Sequence, residues 1–110
     1  MVPMNNYYIT LTEHAKRDLM EIADYIAYTL LEPDTSVKFI KHLRHSISEL
    51  STFPYKFPLV QNVSLPNHNI RCMPYKNYYV FYEIIEAMHT VIILRIGYNK
   101  RNWKNILLSI

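Results

Sequence analysis

Apolar side chains recur along this chain at two periods, and the change of period separates a helical first half from a stranded second half. Ala15, Leu19, Ile22, Ile26 and Leu30 follow at spacings of four, three, four and four, a single apolar stripe over about five helical turns. Lys16, Arg17, Glu21 and Asp24 fall on the other side. Thr12 precedes the stripe as a cap whose hydroxyl suits the free amides of a first turn, and Glu13 stands where the helix dipole favours negative charge. Val37, Ile40, Leu43, Ile47 and Leu50 make a second stripe that ends before Phe53-Pro54. Leu31-Glu32-Pro33-Asp34 divides the two, because proline disfavours helical geometry in the residue before it yet suits a new first turn. Two amphipathic helices on so short a connection predict an antiparallel helical hairpin.

Period two takes over elsewhere. Tyr7-Tyr8-Ile9-Thr10-Leu11 reads as a short opening strand, and residues 54–69, with three prolines and no period, read as a loop packed through Phe53, Phe57 and Leu59. Ile70 to Tyr75, Tyr78 to Ile85 and Thr90 to Tyr98 are rich in β-branched and aromatic residues, with connections of hairpin length at Lys76-Asn77 and Glu86-Ala87-Met88-His89. The expected fold is α+β, one domain over residues 1–110, ordered β-α-α-β-β-β, with the helical hairpin on one face of a mainly antiparallel sheet. Val91 to Leu94 reads as a central strand covered on both faces. Strict alternation puts Arg95 with Val91 and Ile93, and Tyr98 with Ile92, Leu94 and Ile96, unless a bulge intervenes, for which Gly97 is the expected place.

Charge sharpens this division. Five Lys/Arg stand against seven Asp/Glu through Glu49, and seven against two from Leu50 onward, so the second half is the one suited to a polyanion. No acidic residue follows Glu86, and Arg95, Lys100, Arg101 and Lys104 accompany Tyr98 and Trp103 at the end of the last strand. A single cysteine, Cys72, excludes an internal disulfide and fits a reducing compartment. The first residues lack signal-peptide character and no run approaches the ~20 apolar residues of a membrane span, so a cytoplasmic protein with no membrane partner is expected.

The histidines suggest no metal centre. His42 and His45 are three apart on the second helix but lack a matched carboxylate, and His14, His68 and His89 fall where solvated positions explain them. No cofactor is implied. Aromatic side chains such as Tyr79 and Phe81 could stack on bases, but alternation on strands reads first as packing. Trp103 reads as an anchor of the C-terminal tail, in which Ile106, Leu107, Leu108 and Ile110 form an apolar surface.

The order of elements, with Thr12-Glu13-His14-Ala15-Lys16-Arg17-Asp18-Leu19 opening the first helix, the break at Pro33, Leu50 to Pro54 closing the second, Ile70-Arg71, Lys76 to Tyr82, Ile93-Leu94-Arg95-Ile96 and Lys100-Arg101-Asn102-Trp103, resembles the RelE/ParE superfamily of toxins from type II toxin–antitoxin modules. The resemblance spans nearly the whole chain. It implies a growth-inhibiting toxin neutralised in a hetero-oligomer by a cognate antitoxin of RelB or ParD type. That superfamily holds two activities on one fold, ribosome-dependent mRNA cleavage and inhibition of DNA gyrase, so the fold does not choose between them.

The leading expectation is a metal-independent endoribonuclease acting on mRNA in the ribosome; the alternatives are a gyrase inhibitor and a non-toxic nucleic-acid or protein-binding module. RNA cleavage without a metal needs a base for the 2′-hydroxyl, cations for the extra phosphorane charge and an acid for the leaving oxygen. By position in the family pattern, Arg71 and Arg101 are the phosphate-binding candidates, Arg95 is the third, and Tyr98 and Lys100 are candidates for the proton transfers. Arg95 could equally be a structural partner of Glu83. The RelE pattern carries a tyrosine further along the tail, where this chain has Trp103 and no tyrosine after Tyr98.

Overall fold

A computed structural model describes residues 6–61, 68–98 and 107. Strand β1 (Tyr8–Leu11) leads into α1 (Glu13–Asp24), which continues as a π-helical turn (Tyr25–Thr29), and α2 (Pro33–Ser48) ends in a short 3-10 turn (Glu49–Ser51). Strands β2 (Ile70–Tyr75), β3 (Tyr78–Ile85) and β4 (Thr90–Tyr98) follow, all three within the bounds expected from the sequence. The sheet order is β1-β4-β3-β2, with β1 parallel to β4 and the other pairs antiparallel. The fold is the expected α+β architecture, and the long crossover that a parallel pair requires contains the helical hairpin.

Thr12 does the capping the sequence predicts and also ties helix to sheet. Its Oγ1 accepts from the Ala15 amide at 3.1 Å and donates to the Leu94 carbonyl at 2.8 Å. At the far end of α1 the expected stripe fails at Leu30, which is 50 % exposed. The π-turn is the reason: a wider turn rotates each later side chain away from the 3.6-residue stripe, so Ile26 stays buried while Leu30 turns out. Val37 departs likewise, at 71 % exposed. Its expected place in the hairpin interior belongs to Ser36, a small side chain that allows close helix approach and donates from Oγ to the Ala23 carbonyl at 2.7 Å.

Burial divides into two clusters across the sheet. Ala15, Leu19, Ile22, Leu43, Ile47 and Leu50 pack on Val80, Tyr82, Val91 and Ile93, forming the larger core between the helices and the sheet. On the other face Ile70, Phe81 and Leu94 close around Leu107, with Cys72 and Tyr79 beside them. Phe81 and Tyr79 are thus packing residues, and Leu107, fully buried, is not part of an exposed apolar surface. Ile106, Leu108, Ile110 and Trp103 lie outside the described residues. In the loop after α2, Phe57 and Val60 pack inward while Phe53 is exposed.

The β4 alternation changes phase at Leu94, three residues before Gly97. Phe81 pairs with Arg95 and Tyr82 with Ile93, which leaves Leu94 as the additional residue of a bulge. Ile96 consequently joins Val91 and Ile93 in the helix-side core, whereas Ile92 and Leu94 face the second cluster. Tyr98 follows Ile96: its ring meets the edge of Tyr78 at 5.2 Å, and Tyr78 belongs to the helix-side core.

Candidate functional site: the β4 end and the helical groove

Because β1 stops at Leu11, the outer edge of β4 from Leu94 onward has no strand beside it among the described residues. Asp18 of α1 takes part of that place. Its Oδ2 accepts from the Ile96 amide at 2.9 Å and from Arg95 Nε at 2.8 Å, and its Oδ1 accepts from Arg95 Nη2 at 3.1 Å. Both side chains of this pair are mostly withdrawn from water. The hydrogen bond and charge of Asp18 raise the Arg95 pKa further above its ordinary value, keeping the guanidinium charged. Arg95 is therefore an ion-pair residue, and its partner is Asp18, not Glu83. The Glu83 carboxylate instead meets His68 Nδ1 at 3.1 Å and accepts from the Asn69 amide at 3.2 Å.

Asp18 was readable in principle. It stands three after Ala15 and four before Ile22, a charge set on the apolar stripe, and a buried carboxylate requires a cation or backbone donors.

Arg71 occupies a different neighbourhood. On β2 it lies opposite Tyr82, donates from Nη1 to the Phe57 carbonyl at 2.6 Å and holds its guanidinium 4.9 Å over the Tyr55 ring. Strand β3 separates it from β4, so the Arg71 and Arg95 backbones stand about 10 Å apart at two strand spacings. Their side chains diverge further, one to the loop and the other to α1. Tyr98, in contrast, shares a groove with Arg95. Ile22, Tyr25, Leu30, Tyr78, Ile96 and Tyr98 line this cleft of about 820 Å³ together with Asp18, Glu21 and Arg95. Lys100 and Arg101 lie outside the described residues.

A second polar cluster, not anticipated from sequence, joins the N-terminal strand to the loop after α2. The Tyr7 and Tyr55 hydroxyls both donate to Glu86 Oε1 at 2.6 Å, and the Tyr7 ring stacks on His89 at 4.0 Å. These hydrogen bonds, from Tyr55 and then Tyr7, lower the Glu86 pKa, while bonding to Glu86 pushes Tyr7 up to about 12 and raises Tyr55. Burial likewise pushes Tyr82 up to about 12, where its hydroxyl donates to the Pro54 carbonyl at 2.7 Å. A phenol whose folded pKa exceeds its unfolded value of 10 contributes stability that is complete below pH 10 and lost as pH rises towards 12. Denaturant unfolding at pH 9 and pH 12 should thus show a lower midpoint at pH 12, and the Tyr7→Phe/Tyr82→Phe variant should show a smaller drop. Equal drops in both proteins would refute this linkage.

Among the described residues no group of His, Cys, Asp and Glu is placed to hold a metal ion, and no helix is long and apolar enough to cross a membrane. What the geometry offers is a paired arginine at one edge, a second arginine stacked on a loop tyrosine, and a largely apolar groove open between helices and sheet. A family model for the ParE toxin of type II toxin–antitoxin systems, parDE, matches residues 9–103. The chain belongs to this toxin family.

Solved structures agree in fold. A chain of the chromosomal ParDE TA system from P. aeruginosa superposes with a TM-score of 0.70 at 16 % identity, covering 87 % of this chain and 99 % of its own. The RelBE2 toxin–antitoxin complex of Mycobacterium tuberculosis gives 0.60 at 21 % identity, with 88 % and 95 % covered. The isolated E. coli RelE toxin gives 0.55 at 14 % identity, with 94 % and 97 % covered. Comparison of the sequence with curated proteins gives no match. The protein is therefore the toxin component of a type II system, on a fold that ParE and RelE proteins share.

Proposed function

We propose that this toxin inhibits DNA gyrase by binding it, and that Arg71 and Arg95 hold the fold instead of cutting RNA. The observation that carries this reading is the Asp18–Arg95 pair. Stabilising a phosphorane requires a guanidinium presented to the substrate, and Arg95 has already engaged a carboxylate through two nitrogens. Arg71 is similarly committed to a loop carbonyl and an aromatic face. The ParE identity of the matching family points the same way.

The antitoxin belongs to this proposal as well. A helical or extended segment of it would lie in the groove beside β4, covering Tyr25, Leu30 and Tyr98, which are all half exposed or more. Purified toxin should inhibit supercoiling and trap cleaved DNA on gyrase, while mRNA termini in a translating extract stay unchanged. Arg71→Ala and Arg101→Ala should retain toxicity. New mRNA ends together with unaffected gyrase would replace this reading with ribosome-dependent cleavage, and normal growth at high expression would favour a non-toxic binding module.

A further inference from the structure

The hairpin tip is the most unusual surface of the molecule. From Asp18 to Val37 there is not one Lys, Arg or His, although the whole chain has twelve Lys/Arg against nine Asp/Glu. Glu21, Asp24, Glu32 and Asp34 are all exposed there, while Asp18 is occupied by Arg95. Among these acids stand Tyr28 at 74 %, Leu31 at 79 % and Val37 at 71 % exposure. None of the three lines the groove beside β4.

Backbone geometry holds these side chains outward. The π-turn is closed by the Leu30 amide donating to the Tyr25 carbonyl, and the Glu32 amide then reaches the Ile26 carbonyl, each at 3.0 Å. Leu31, between them, has φ of 56°, a left-handed conformation that glycine or asparagine adopts at lower cost. A large apolar residue thus occupies a position where local backbone preference asks for glycine, and its side chain is left in water. Strained backbone, a π-turn and an apolar patch coincide within a few residues.

From these features we infer that the hairpin tip is the surface that seats on the target protein, with Leu31, Tyr28 and Val37 entering an apolar pocket rimmed by Lys and Arg. The occupant follows from charge. A tip whose own residues, Asp18 to Val37, carry acids and no Lys, Arg or His is repelled by nucleic-acid phosphates and by anionic lipid headgroups, whereas cationic groups around an apolar pocket complement both its charge and its side chains. The inference rests on the gyrase reading and gives the toxin two separate faces: the groove for the antitoxin and the tip for gyrase.

The backbone supplies an unusually clean test. Leu31→Gly removes the docking side chain while relieving the left-handed strain, so its melting temperature should equal or exceed that of wild type. Its half-inhibitory concentration in the gyrase supercoiling assay should nevertheless rise at least about tenfold. Tyr28→Ser/Val37→Ser, on either side of the same turn, should act in the same direction. Both variants, copurified with the antitoxin encoded beside the toxin, should bind it within about threefold of wild type, since the groove is untouched. Wild-type inhibition with unchanged inhibition by folded Leu31→Gly would overturn the tip assignment alone, as would loss of antitoxin binding in these variants. Absence of supercoiling inhibition by the wild type would overturn the gyrase reading, and this inference with it.

Discussion

Asp18→Ala should destabilise the toxin by about 3 kcal/mol, the scale expected when one partner of a buried ion pair is removed. Asp18 is 7 % exposed and accepts two bonds from Arg95 and one from the Ile96 amide. Alanine would remove the carboxylate shared by a largely buried guanidinium and a strand-edge amide. Asp18→Asn keeps an acceptor but removes the charge, so about half that loss is expected. Chemical denaturation at pH 7 provides the measurement, and a loss below about 1 kcal/mol for Asp18→Ala would show that the pair contributes little to the fold.

The same pair separates structure from chemistry. In Asp18→Leu/Arg95→Met both charges of the pair are gone and an apolar contact replaces them, so stability should recover to within about 1 kcal/mol of wild type. If Arg95 serves the fold, this double variant should still arrest growth. Arrest lost in a stably folded double variant would assign Arg95 a direct part in toxicity and weaken the gyrase proposal.

Local signals explain which features could be read before folding. Thr12 announces α1 because a hydroxyl at that place satisfies a nearby amide whatever the rest of the chain does. The bounds of β2, β3 and β4 follow from composition broken by short turns. What escaped depends on distant partners. The π-turn that exposes Leu30 accompanies hairpin closure, in which Ser36 of α2 bonds to Ala23 of α1. The bulge falls at Leu94 instead of Gly97, where β1 has ended and Asp18 takes over the strand edge. Arg95 was visible as a cation at a strand end, but choosing Asp18 over Glu83 requires knowing that Glu83 is met by His68 and the Asn69 amide and that α1 brings Asp18 to the strand edge.

Leu107→Ala should be nearly as damaging as the loss of Asp18, although the residue does not line the groove. Leu107 is fully buried against Ile70, Phe81 and Leu94, and truncating a sealed leucine typically costs about 3 kcal/mol from lost transfer energy and the cavity left behind. Its melting temperature should fall by roughly 10 °C or more. Leu43→Ala, equally buried in the helix-side core, provides the matched comparison. The two should differ in where they loosen the protein. Leu94 is the bulged residue between Ile93 and the Asp18-bound Arg95, so a cavity beneath it removes support from the turn of β4 that aims Ile96 and Tyr98 at the groove. Amide hydrogen exchange should therefore accelerate first at Phe81, Leu94 and Ile96 in Leu107→Ala, and first along α2 in Leu43→Ala. Antitoxin affinity should drop more in Leu107→Ala than in Leu43→Ala at equal stability loss, whereas equal affinities would show that the groove does not depend on the packing behind the sheet.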